Sequence, residues 1–158
     1  MKQQMNLTTL RNIVCLIAIL MLFSCTQTTS SKDKQVNQPI DRPTIEKLAY
    51  VKLPDEASDV YTHISSGIDT AIWLRFQMPC EKRDKFLSQA GYTKPLSTTL
   101  RYIKNRQLKT ASWWTPESIE PFESGHYNKE TGQRYGSHIL LSKKAEGLCI
   151  VYMFVTSL

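Results

Sequence analysis

Three histidines, His63, His126 and His138, are all the imidazole chemistry that 158 residues provide. An imidazole titrates near neutrality and becomes a general base when a carboxylate orients it. The runs Val60 to Ile64 and Ile68 to Phe76 are rich in β-branched and aromatic residues and flank Ser65-Ser66-Gly67. A hairpin closing through that tripeptide, with Gly67 in the left-handed region, predicts Ile64 opposite Ile68, Thr62 opposite Thr70 and Val60 opposite Ile72. On the other side of the ribbon the same register places His63 against Asp69. No nucleophile lies close in sequence, and opposite charges across a ladder are ordinary, so His63 and Asp69 are read as a structural pair. The histidines and Glu123 show no ligand spacing of the His-Glu-x-x-His or Cys-x-x-Cys kind, so neither metal nor cofactor is expected. No phosphate loop, nucleophile elbow or paired catalytic carboxylate is present, and no catalytic residue is assigned.

Chemistry of recognition is better represented. In the run Trp113-Trp114-Thr115-Pro116, neighbouring tryptophans of an extended chain point in opposite directions. One then packs inward, and the other is free for a partner or for stacking on a sugar. The alternative has both packed beneath loops. Between Lys94 and Lys109 stand Arg101, Lys104 and Arg106, with Tyr102 among them and no acidic residue. Together with Trp113 and Trp114 they form a candidate binding surface, unless Glu117, Glu120 and Glu123 neutralise it from within. In a cytosolic protein such a patch would suggest nucleic acid. The leader points elsewhere.

That leader carries Lys2 and Arg11, then runs apolar from Ile13 to Phe23. A charged start and an apolar stretch too short to span a bilayer are the marks of a secretory signal. The run ends in Leu22-Phe23-Ser24-Cys25. This resembles the lipobox of bacterial lipoproteins, with an aliphatic residue at −3, a small one at −1 and the cysteine that follows; Phe23 is bulkier than that pattern usually carries. The resemblance covers the first 25 residues. It implies acylation of the Cys25 thiol, cleavage before it, and anchoring by acyl chains, each CH₂ contributing about 0.8 kcal/mol of membrane affinity. Thr26 in place of aspartate resembles the pattern sent to the outer membrane of two-membrane cells, facing the periplasm.

The formal charge of +6 includes Lys2 and Arg11, so the processed chain is mildly basic. On an exported protein this favours anionic envelope surfaces, such as phospholipid head groups or lipid A phosphates, or an acidic protein partner, over nucleic acid. Cys15 leaves with the leader and Cys25 takes the lipid. Cys80 and Cys149 remain, and in an oxidising compartment they are candidates for a disulfide; two separate buried thiols are the alternative.

Three segments follow. Residues 1–24 are the signal. Residues 25–43 are a lipidated terminus and polar tether, which as a flexible coil spans about 20–25 Å. Residues 44–158 are one globular domain. Within it, Leu48 to Leu53 suggests a short strand. Glu81 to Ala90 has helical character, with Phe86, Leu87 and Ala90 on one face and Gly91 at the end. Leu100 to Ile103 is a weaker strand candidate, and the stretch to Gly136 is rich in turn residues. Ser137 to Lys143 and Leu148 to Val155 form a second hairpin, whose last strand is apolar on both faces and therefore central. The expected fold is α+β: a small antiparallel sheet with one short amphipathic helix packed on one face. The expected function is that of a non-enzymatic binding or accessory module of the envelope. The alternatives are an inhibitor or immunity lipoprotein against a toxin or cell-wall hydrolase, and a periplasmic enzyme.

Overall fold

A computed structural model describes residues 40–103, 108, 111–130, 132 and 134–157. Five antiparallel strands form one sheet: β1 (Ser58–Ser66), β2 (Thr70–Pro79), β3 (Glu123–Lys129), β4 (Tyr135–Lys143) and β5 (Leu148–Ser157). Their order is β1-β2-β5-β4-β3. Among the described residues two α-helices accompany them, α1 (Arg42–Ala49) and α2 (Arg83–Gln89). The α+β class is as the sequence implied. So is the central place of β5, because a strand apolar on both faces must be covered on both.

The two sheet faces are closed by different material. Ile72, Leu74, Phe76 and Met78 of β2 line up with Val155, Met153, Val151 and Cys149 of β5 and meet α1, α2 and Tyr92 in the larger core. The opposite face carries Leu140, Ile150, Tyr152 and Phe154, and it is covered by Ile103 and Trp114, with Leu108, Ile119 and Phe122 partly buried around them. Among the described residues the cover holds no α-helix or strand, its regular structure being a 3₁₀ turn at Pro116–Ser118. The α2 segment starts as a 3₁₀ turn at Cys80–Lys82 and buries Phe86 and Leu87, and Gly91 ends it at φ +86°.

Four expectations change. Leu48 to Leu53 is not a strand: α1 runs from Arg42 to Ala49, across the expected tether boundary at residue 43. Asp41 caps it by accepting the Thr44 N–H at 2.7 Å, and Tyr50 closes it in the left-handed region at φ 53°. The Glu46 carboxylate then receives the Leu53 N–H at 3.0 Å, which fixes the turn out of the helix. The fold therefore has two helices on this face, not one.

The first hairpin turns later than expected. Ser66 faces Thr70, Ile64 faces Ile72, Thr62 faces Leu74 and His63 faces Trp73. Gly67 has no positive φ, and the turn is Gly67-Ile68-Asp69, with Ile68 fully exposed. The shift is even-numbered, so inward residues stay inward; only an odd shift would have turned the apolar set outward. Val60 loses its place in the register to a β-bulge between Ser58 and Tyr61.

Leu100 to Ile103 forms no strand; Ile103 is instead the buried plug of the second core. The turn-rich stretch contains β3, an edge strand with the sequence Glu-Ser-Gly-His-Tyr-Asn-Lys. With a single neighbour it needs little apolar character, which is why the pattern did not announce it.

Cys80 and Cys149 form a disulfide, their Cα atoms 5.0 Å apart. It ties the residue after β2 to the start of β5.

Candidate functional site

The registers bring all three histidines into one row across the sheet. His63 on β1 faces Trp73 on β2, Trp73 faces Phe154 on β5, Phe154 faces His138 on β4, and His138 faces His126 on β3. Successive ring centroids lie 5.4, 5.0, 6.1 and 6.3 Å apart. These are aromatic contact distances. Tyr102 adds a ring 4.7 Å from His126 at the β3 end. The expected His63–Asp69 pair does not form, because the later turn leaves Asp69 exposed in the loop and gives His63 the indole edge of Trp73. The histidines act here as flat rings within an aromatic layer. Among the described residues no three His, Cys, Asp or Glu side chains converge on one point.

The candidate binding surface separates into parts. Trp114 is buried, 5 % exposed, with its ring edge-on to Tyr152. Trp113 is half-buried, stacks on Tyr61 at 5.7 Å, meets the Trp114 ring edge-on at 5.8 Å and packs against the same second core, so the adjacent tryptophans do not point to opposite sides as an extended chain would require. Arg75 lies over the same Tyr61 ring at 5.1 Å, which makes an aromatic and cationic corner beside β1.

Arg101 turns inward. Its guanidinium donates to the carbonyls of Pro116 and Ile119, pairs with Glu120 at 2.6 Å and stacks on Phe122 at 4.0 Å. It staples the covering segment and presents no charge to a partner. Glu120 thus neutralises part of the basic stretch, whereas Glu123 turns to Arg83 at 2.5 Å. Lys104, Arg106 and Cys25 lie outside the described residues.

A groove of about 420 Å³, which no residue pattern announces, runs beside β3. Ser97 and Ser124 exchange both backbone hydrogen bonds at 2.8 Å, so residues 91–97 begin a ladder against the outer edge of β3. The ladder stops there. In that register Pro95 falls opposite His126, and proline has no N–H to give. The segment departs from the strand and leaves the groove behind it. Ser124, His126 and Asn128 line it from one face of the sheet, Gly125 and Tyr127 from the other, so the groove follows the strand edge itself.

Close packing shapes its wall. A Cβ on Gly125 would come within 2.6 Å of Leu96, and one on Gly91 within 2.9 Å of the Tyr127 ring. Tyr92, also in the wall, is buried and shares a 2.7 Å hydrogen bond with Ser137. Burial pushes its phenol well above the ordinary range, and the Ser137 bond offsets only part of that. Lys94 is the one charged side chain among the described residues lining the groove.

Comparison with known proteins brings no match. No protein family, no curated protein and no solved structure corresponds to the chain.

Proposed function

We propose that the chain is made as a lipoprotein precursor, and that its folded domain is a non-enzymatic binding module moored through acylated Cys25 to an envelope membrane. In a two-membrane cell the membrane would be the outer one, with the domain facing the periplasm. The observation that carries this reading is the Cys80–Cys149 disulfide. It supports an oxidising compartment on grounds independent of the leader, since cytosolic thiols are kept reduced. The binding role is supported by the half-buried Trp113 and exposed Tyr61 at the β1 corner, and by the groove beside β3. Arg101 is committed to internal contacts, which weakens the case for an anionic surface as partner and strengthens that for an envelope protein.

The test compares the chain with its Cys25→Ser variant in a bacterial host. The expected result is that the unmutated protein sediments with membranes, begins at a lipid-modified Cys25 by intact mass, and resists thiol alkylation until reduced. An unprocessed amino terminus on soluble protein with free thiols would refute the proposal.

A further inference from the structure

We infer that the outer edge of β3 receives an extended peptide strand carrying an acidic residue, supplied by a partner protein and paired antiparallel through the backbone of His126 and Asn128. This names the partner class for the binding-module reading above and rests on it.

Backbone direction comes first. In an antiparallel ladder, residues alternate between pointing their N–H and C=O at one neighbour and at the other. Ser124 directs both outward, to Ser97. His126 and Asn128 follow at the two-residue period, so their N–H and C=O also point away from β4. Neither has a backbone partner among the described residues. Two donors and two acceptors in register are thus open to a strand, in the manner of peptides that extend exposed sheet edges.

The chain itself is kept out of that position. Pro95 falls where its own next residue would pair, and the departure of residues 91–96 opens the groove just where an added strand would lie. At about 420 Å³ the volume is within the range of ordinary ligand sites and enough for a few extended residues. Side-chain chemistry selects the occupant. Tyr102, His126 and Tyr127 offer ring surfaces to apolar side chains on either side of the added strand, and Lys94 calls for a carboxylate.

The test uses the full chain in detergent micelles and the capped peptide acetyl-Thr-Val-Glu-Val-Thr-amide, followed by amide hydrogen exchange and titration. Before peptide is added, the His126 and Asn128 amides should exchange fast, and those of Gly125 and Tyr127 slowly. At peptide concentrations well above a submillimolar Kd, exchange at His126 and Asn128 should slow about tenfold. Asn128→Pro removes one outward N–H at an edge position where proline is tolerated, and should weaken binding about fivefold. Should that variant not fold, a peptide N-methylated at alternate residues makes the same test with the protein untouched; one of the two methylation patterns should abolish binding. Replacing the peptide glutamate by lysine should weaken binding about threefold at low salt.

No protection at His126 and Asn128, or equal binding of both methylated peptides, would overturn the proposal. So would protection of those amides without peptide in a chain that sediments as a dimer, which would make a second copy the occupant. The membrane experiment on Cys25 is separate, so an anchored chain that ignores the peptide refutes the groove alone.

Discussion

Removing the disulfide tests the frame on which both proposals stand. The double variant Cys80→Ala/Cys149→Ala opens a loop of sequence separation 69. In the loop-entropy description a closed loop of that length removes about 4 kcal/mol of conformational freedom from the denatured chain. A domain of this size has about 5–15 kcal/mol in all, so the loss is a large fraction of the whole. Alanine is the right replacement, because Cys149 is buried and a serine hydroxyl there would add an unsatisfied polar group. Urea unfolding should be followed by far-ultraviolet circular dichroism and by tryptophan fluorescence, which reports on Trp73, Trp113 and Trp114 over the second core. With an m-value of about 2 kcal/mol/M the midpoint should fall by about 2 M. The slope should also steepen, because the uncrosslinked denatured chain exposes more surface. A midpoint within about 0.5 M of the parent, in protein shown to be oxidised, would refute the reasoning. It would mean that the denatured ensemble already holds the ends of β2 and β5 together, or that native contacts relax to compensate.

Two further outcomes follow from individual contacts. Arg101→Met keeps the apolar stem but strips the donors from the Pro116 and Ile119 carbonyls; it should cost about 2 kcal/mol and expose residues 111–122 to limited proteolysis, and an unchanged melting temperature and cleavage pattern would contradict the staple. Tyr92 has a folded pKa raised above its unfolded value, so its contribution is complete below the unfolded tyrosine range, near pH 10, and is lost as pH rises above it. Tyr92→Phe should therefore flatten the alkaline fall in stability above about pH 10 while lowering stability at neutral pH by about 1 kcal/mol through the lost Ser137 bond; parallel pH profiles for the two proteins would refute that assignment.

What the sequence made legible was what hydrophobic period controls. The apolar faces of β2 and β5, the double-sided character of β5, and the Phe86-Leu87-Ala90 face of α2 could all be read because each buries a stripe at a fixed repeat. The hairpin register was not legible at the same level. Ile64 can meet Ile68 or Ile72 with the same residues inward, and the pairing of β2 with β5 carries no information about where β1 begins to turn. Helix α1 is not legible because Leu48 to Leu53 is a short, mostly apolar run that suits a strand as well as a helix end, while the cap that decides the matter, Asp41 on Thr44, lies at the end of a polar stretch. The aromatic row depends on register: the expected turn sets His63 against Asp69, and the observed one sets it against Trp73. The groove arises from a proline falling opposite a strand that composition did not reveal. Such a juxtaposition exists only once β3 and residues 91–97 are side by side.

The covering of the sheet also explains why recognition is assigned to an edge. Both faces of β5 are buried, one under helices and the other under the segment that Arg101 holds down, so a partner reaching either face would have to displace packed side chains. The edges differ from each other. At β1 the bulge and the left-handed Asp59 interrupt the pairing pattern, a common way of blunting an exposed strand. At β3 the ladder is begun by Ser97 and then broken off at Pro95, which leaves regular geometry at His126 and Asn128 with nothing from residues 91–97 paired to it. A regular open edge is a hazard for aggregation unless its access is narrow, and here the same segment that abandons the strand walls the approach with Leu96, Lys94 and Tyr92. Blunting one edge while keeping the other regular and screened is the arrangement expected if β3 is used for binding.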